Sequence, residues 1–160
     1  MVEIVVLLIC IAGIIIAYNY YKPTGITSIP FKESIDLINL PIVTFVNNNV
    51  KLHFLLDTGS DDSYINVDVL DKLVIKKSYN VKRDIVTGNG SISSSQIVLM
   101  DISYKEQCFE NTFIVSNMGE AFDAATGTSG IKIHGILGSI FFAKYKYVLD
   151  YMKLEAYSKV

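Results

Sequence analysis

The chain has 160 residues, 14 Lys and Arg against 16 Asp and Glu, a net charge of −2 and an apolar fraction of 51%. That length suits one domain around a single core. The near-balanced charge, with no basic stripe and no interleaving of aromatic and basic residues, argues against a nucleic-acid partner.

The apolar excess is partly local. Residues 4–17 carry no polar side chain, and Val2, Tyr18, Tyr20 and Tyr21 extend the run on both sides. A helix over residues 2–21 would reach about 30 Å, enough to cross a hydrocarbon layer. Tyrosines at its end, followed by Lys22 and Pro23, fit an interfacial belt and a stop. A cleaved signal peptide would need a basic start and small residues at the cleavage site. Here Glu3 is the early charge and bulky tyrosines follow the run. A lipoprotein signal would put a small residue before Cys10, where Ile9 stands. Residues 1–21 are therefore expected to be an uncleaved single-pass membrane anchor. Lys22 and Lys32 follow the apolar run and no Lys or Arg precedes it, which leans toward a cytoplasmic domain.

Residues 22–33, with Pro23, Gly25 and Pro30, read as a linker, leaving residues 34–160 as the folded domain. Residues 40–46 are rich in β-formers, Asn47-Asn48-Asn49 reads as a turn, and residues 50–54 alternate as a half-buried strand does. Together they predict a hairpin whose second strand runs into Asp57. A short helix is expected over residues 63–73, with Asn66 as N-cap and Val67, Leu70 and Leu73 on one face. Strands are predicted over residues 81–87, 97–104 and 109–115. Gly88-Asn89-Gly90 forms a hairpin tip, followed by small polar residues 91–95. Residues 116–130 read as a loop with one helical turn near Ala121. Ile136-Leu137-Gly138 then precedes a short helix over residues 139–143, and residues 147–151 and 154–157 predict a closing hairpin. About seven short strands with little helix indicate a mainly β barrel or folded sheet.

Cys10 and Cys108 are poorly placed to pair, and no Cys/His cluster has metal-ligand spacing. His53 and His134 stand alone and read as packing or surface residues. The chemistry is concentrated in Phe54-Leu55-Leu56-Asp57-Thr58-Gly59-Ser60. Two apolar residues deliver a carboxylate to a strand end, and a small, tight turn follows. Such an acid can simply cap its own turn. Three companions point further. Gly59 permits positive φ and close backbone approach. The Gly88-Asn89-Gly90 tip is placed to fold over a cleft. Ile136-Leu137-Gly138 is a second apolar-apolar-Gly element suited to pack beside the first.

This constellation resembles the retropepsin family, the single-domain aspartic proteases of retroviruses and their bacterial and eukaryotic relatives. Leu55-Leu56-Asp57-Thr58-Gly59-Ser60-Asp61-Asp62 is similar to that family's active-site loop. His134-Gly135-Ile136-Leu137-Gly138, Phe141-Phe142 and Val148-Leu149-Asp150-Tyr151 resemble the closing segment of its bacterial members. The resemblance implies a folded acid-protease barrel and hydrolysis of peptide bonds by two aspartates that share a proton and activate a water. It implies no metal or organic cofactor. Only one Asp-Thr-Gly is present: Asp123-Ala124-Ala125 lacks the glycine and Asp150 falls in a predicted strand. A symmetric homodimer with Asp57 from each copy follows. By the same resemblance Thr58 bonds across the dimer, Ser60 supports the outer carboxylate oxygen, and Gly59 bonds substrate backbone. The flap at Gly88, Asn89 and Gly90 closes over the peptide. Retroviral members carry an arginine after the Ile-Leu-Gly-type glycine, paired with the acid after the loop. Ser139 stands there in this chain, leaving Asp61 without that partner.

Two other readings are open. Actin-like ATPases and sugar kinases hold nucleotide phosphates on Asp-x-Gly-Thr/Ser hairpins, but those folds need two large lobes. A non-catalytic, membrane-tethered module with the protease fold would grip a peptide by strand addition.

Overall fold

The structure, a computed structural model, describes residues 28–87 and 90–158. The apolar run of residues 2–21, most of the expected linker, and Gly88 and Asn89 lie outside the described residues. Among the described residues no helix is long and apolar enough to cross a membrane.

The expected linker is in part a structural element. Ser28–Pro30 forms strand β1, which pairs antiparallel with the last strand, β10 (Glu155–Ser158), and β10 pairs with β9 (Tyr147–Asp150). Pro30 reads as a breaker in sequence. It is tolerated because β1 is the edge of this three-stranded sheet, where a missing N–H costs no ladder bond. Ile29 and Phe31 beside it are fully buried, so the folded domain begins before residue 34. Helix α1 (Lys32–Ile38) follows, an element the sequence pattern did not indicate. Its buried Ser34 hydroxyl donates to the Phe31 carbonyl (2.9 Å) and accepts from the Ile42 N–H (2.9 Å), tying α1 to the next strand.

β2 (Ile42–Asn47) and β3 (Val50–Leu56) form the predicted hairpin. Its loop is only Asn48 and Asn49, with φ of 43° and 70°, the two-residue turn in which Asn relieves the left-handed strain. Asn47 belongs to the strand instead. It is buried, and its amide donates to the carbonyls of Val74 (3.1 Å) and Asp101 (2.8 Å) while accepting from the Val74 N–H (2.8 Å).

The short helix expected over residues 63–73 forms in its second part, as a 3₁₀ turn (Val67–Lys72) with Asn66 at its N-cap position though without a side-chain cap bond, while the residues before it are strand β4 (Tyr64–Asn66). β4 is the piece that joins the two halves of the sheet. It lies antiparallel to β8 (Gly135–Leu137) and parallel to β7 (Gln107–Ser116). The helical spacing of Val67, Leu70 and Leu73 falls after β4, where the chain does turn. β5 (Lys77–Thr87) and β6 (Gly90–Tyr104) make a long hairpin with a register shift between Asn80 and Arg83, and β6 continues into β7. Helices α2 (Gly119–Thr126) and α3 (Ser139–Tyr145) complete the chain.

The main sheet runs β2-β3-β8-β4-β7-β6-β5, and a contact between Val46 and Ser103 joins β2 at one end back to β6, next to the other. Six strands thus close into a barrel and β5 extends outside the ring. Period-two alternation fills it: Leu52, Phe54 and Leu56 of β3 point inward with Val43 and Phe45 of β2. Phe45 meets Phe54, Phe109 and Phe141 edge-on at 5.6–6.2 Å, a favourable aromatic geometry. A second cluster covers the outer face, where Ile42, Phe122, Ile133 and Ile136 pack with Leu55 and Tyr64.

β3 and β8 pair in parallel, Phe54 opposite Gly135 and Leu56 opposite Leu137. A Cβ on Gly135 would stand 2.2 Å from the Tyr64 carbonyl oxygen and 2.8 Å from the Phe54 ring. Gly135→Ala is expected to lower unfolding free energy by at least about 2 kcal/mol in denaturant titration, since backbone on one side and a buried ring on the other leave little room to relax. Asn47→Ala, which strands three backbone groups, is expected to cost roughly 2 kcal/mol or more in the same measurement.

Candidate active site

β3 carries its last inward residue, Leu56, to the end of the parallel β3–β8 pair, and Asp57 is the next residue. Its N–H donates to the Leu137 carbonyl (3.1 Å), extending the ladder by one rung. The Leu56 N–H donates to the Pro41 carbonyl (2.9 Å). The acid therefore sits on backbone held from two sides, and it is itself half-buried.

The loop then folds back on that acid. The Gly59 N–H donates to Asp57 Oδ1 (2.9 Å) and the Ser60 N–H to the Asp57 carbonyl (3.3 Å). The first of these is the turn that Asp side chains make with backbone two residues on. It takes up one face of the carboxylate and leaves the rest to the outside. Gly59 does not use positive φ. A Cβ there would lie 3.2 Å from Asp57 Oδ1, so glycine serves close approach to the carboxylate. The Ser60 hydroxyl donates to the Asp62 carbonyl (2.8 Å) and steadies the loop from within, in place of the expected contact with Asp57. Thr58 and Gly59 are exposed.

Ile136, Leu137 and Gly138 lie directly against this loop. The Gly138 N–H donates to the Ser63 Oγ (3.1 Å), the Ser139 N–H to the Ser60 carbonyl (2.7 Å), and the Ile140 N–H to the Asp61 carbonyl (3.2 Å). The first amides of α3, which have no partner within their own helix, are thus satisfied by carbonyls of the acid loop. Gly138 is required for that contact, because a Cβ would stand 2.2 Å from the Asp62 oxygen and 2.8 Å from the Ser60 oxygen. Ser139 donates its hydroxyl to the Asp61 carbonyl at 3.3 Å.

Ser63 was not singled out in the sequence. It is fully buried, its hydroxyl holds Gly138, and its carbonyl accepts from the Ile114 N–H (2.9 Å). No local signal marks it, because its partner is 75 residues away. The other aspartates weighed as a second acid have other places. Asp123 is exposed on α2. Asp150 Oδ1 accepts from the N–H groups of Met152 and Lys153, both at 3.0 Å, and shapes the turn between β9 and β10. Of the flap residues, Gly90 opens β6 opposite Thr87, and the other two are outside the described residues.

The arrangement is a carboxylate presented on rigid backbone, with its loop locked to an apolar-apolar-Gly strand and the helix after it. The aspartyl protease family model matches residues 43–141. No curated protein matches the sequence. Among solved structures, the chain is similar to a retropepsin-like aspartic protease from Rickettsia conorii at 20% identity, covering 83% of this chain and 89% of that one, with a TM-score of 0.53. It is also similar to the EIAV protease complexed with the inhibitor HBY-793, at 20% identity over 66% of this chain and 86% of that one, with a TM-score of 0.50. At that identity the two structures speak for the fold. The family match, running from β2 through the acid loop into α3, carries the assignment: this chain belongs to the aspartyl protease family, with the retropepsin-like fold.

Proposed function

We propose that the protein is an aspartic endopeptidase that works as a homodimer, one Asp57 from each copy forming the catalytic pair. The observation that carries this reading is the single acid loop. One chain presents one half-buried Asp57 on backbone tied down by β8 and α3, with exposed Thr58 and Gly59 beside it. Ile140, at the start of α3 and bonded to that loop, is 55% exposed, an apolar residue suited to cover by a second copy. Two-fold symmetry would set the same loop opposite itself.

In such a pair, two carboxylates about 3 Å apart do not both ionise readily, so they share a proton and titrate with split apparent pKa values. The ionised member takes a proton from the attacking water while the protonated member polarises the scissile carbonyl. The Gly59 N–H bond to Oδ1 fixes the carboxylate plane, so that the acid does not reorganise during the step. Thr58 would bond its symmetry mate and hold the two loops in register. The hairpin of β5 and β6 would close over the peptide through the Gly88–Gly90 tip and exclude water.

We further propose that residues 1–21 are a single-pass membrane anchor, on the strength of the polar-free run over residues 4–17 and the apolar residues on both sides of it. Tethering raises the effective concentration of copies and so favours a weak dimer. The lysines after the run favour a cytoplasmic domain.

Asp57→Asn is expected to reduce peptide cleavage by roughly 10³-fold or more while the dimer survives in sedimentation. Unchanged cleavage would end the catalytic reading. A dimer that binds peptide but never cleaves it would favour the non-catalytic module. Gly138→Ala, which pushes on the Ser60 and Asp62 carbonyls rather than on the acid, is expected to lower kcat/KM by about 10²-fold, the scale of a small misplacement at a catalytic centre. A fragment beginning at Thr24 is expected to lose specific activity on dilution, and activity independent of concentration would remove the role given to the tether.

A further inference from the structure

His53 and His134 carry no role in the site described above, yet they meet at the far end of the strand pair that holds Asp57. His53 lies on β3, opposite Thr44 of β2. Its backbone carbonyl accepts from the His134 N–H (2.8 Å), and its backbone N–H donates to His134 Nδ1 (3.0 Å). The regular β3–β8 register begins only at the next pair, Phe54 and Gly135. An imidazole nitrogen thus stands where a backbone carbonyl would continue the ladder. The His134 carbonyl in turn accepts from the Asn66 N–H (2.8 Å), so this residue joins the strands either side of β8. The two rings lie 5.3 Å apart, and His53 Nδ1 bonds the Thr44 hydroxyl at 2.8 Å.

Nδ1 accepts this bond only while it carries no proton. A protonated imidazole is a donor at both nitrogens. It would face the His53 N–H donor to donor, leaving that strand amide without a partner. The other groups around the ring also oppose a positive charge. Lys132 is two residues away, Lys72 approaches from the 3₁₀ turn, and Lys51 acts on His53 from the same strand. Glu33 of α1 is the acid among the residues lining the adjoining cavity of about 510 Å³, together with Tyr104 of β6. Burial, then His53, Lys132 and Lys72, lower the His134 pKa from 6.5 to about 4. Burial and Lys51 lower that of His53 as well.

We propose that His134, in its neutral form, is a positioning residue for Asp57: its Nδ1 completes the β3–β8 ladder, and acid opens that rung. Leu56 and Leu137 close the same ladder at its other end, where the Asp57 N–H takes the Leu137 carbonyl. Strain or fraying at the His134 end therefore reaches the acid through three residue pairs of parallel sheet. The positioning role rests on Asp57 being catalytic; the rung itself does not. The sign is fixed by linkage. Between the ordinary value of 6.5 and about 4 the unfolded chain binds the proton and the folded chain does not. The stabilisation is complete above that window and is lost as pH falls through it.

The test uses the full-length chain. NMR of the wild type should show the His53 amide resonance shifting with the same midpoint as the His134 ring. His134→Asn keeps an acceptor oxygen near the Nδ1 position but cannot be protonated there. Between about pH 7 and about pH 4.5 its loss of thermal midpoint should be no more than half that of the wild type, and the acid limb of kcat/KM should move to lower pH. His134→Leu should be less stable than the wild type at neutral pH, having no acceptor at all. A His53 amide indifferent to the ring, or identical pH profiles for the wild type and His134→Asn, would overturn the proposal. Should His134→Asn not fold, the wild-type amide titration decides alone. If neither protein cleaves peptide while the amide still tracks the ring, the rung stands and the catalytic reading, with the positioning role, falls.

Discussion

The parallel pairing of β3 with β8 is the contact on which both the barrel and the acid loop depend. It joins segments about eighty residues apart in sequence, Phe54–Leu56 and Gly135–Leu137, and no local preference brings them together. Its inner face buries Phe54, Leu56 and Leu137 in the core, and its outer face buries Leu55 and Ile136 in the second cluster. Burial on both faces is what stabilises parallel strands. The pair can form only because Gly135 lets the Tyr64 carbonyl and the Phe54 ring approach to distances that a Cβ would occupy. With that rung in place β4 can bridge β8 to β7, and the ring can close through Val46 and Ser103.

The same contact sets the chemistry. Asp57 is aimed by backbone on its own strand and by the Leu137 carbonyl across from it, rather than by side chains that could rotate. The loop that follows is held by the opening amides of α3, so a strand, a loop and a helix share one set of hydrogen bonds. Such a site is preorganised: most of its polar groups are committed before any peptide arrives, and the carboxylate keeps its outward face.

Strand alternation was legible wherever one face of a strand meets the core and the other does not. The β2–β3 hairpin, β7 and the β9–β10 hairpin follow from it directly, and so does the arrival of Asp57 at a strand end. Elements whose shape is imposed from elsewhere were not. β4 opens the stretch expected as a helix but is held straight by neighbours on both sides, and only the residues after it turn. β1 contains a proline and became a strand because β10 offered it an edge. Asn47 looked like a turn residue, yet its amide is spent on Val74 and Asp101, which lie 27 and 54 residues on.

The sequence by itself determined the acid loop, its lack of a second copy in the chain, and the apolar-apolar-Gly element. Those depend on residue type and order alone. Only the tertiary structure decided that Gly138 and Ser63 hold the loop, that the Ser60 hydroxyl turns to Asp62 instead of Asp57, and that two solitary histidines complete a rung of the sheet. These are contacts between residues whose partners are set by closure of the barrel, or by the exact path of a turn. A one-dimensional pattern carries no record of which backbone will come within hydrogen-bonding distance.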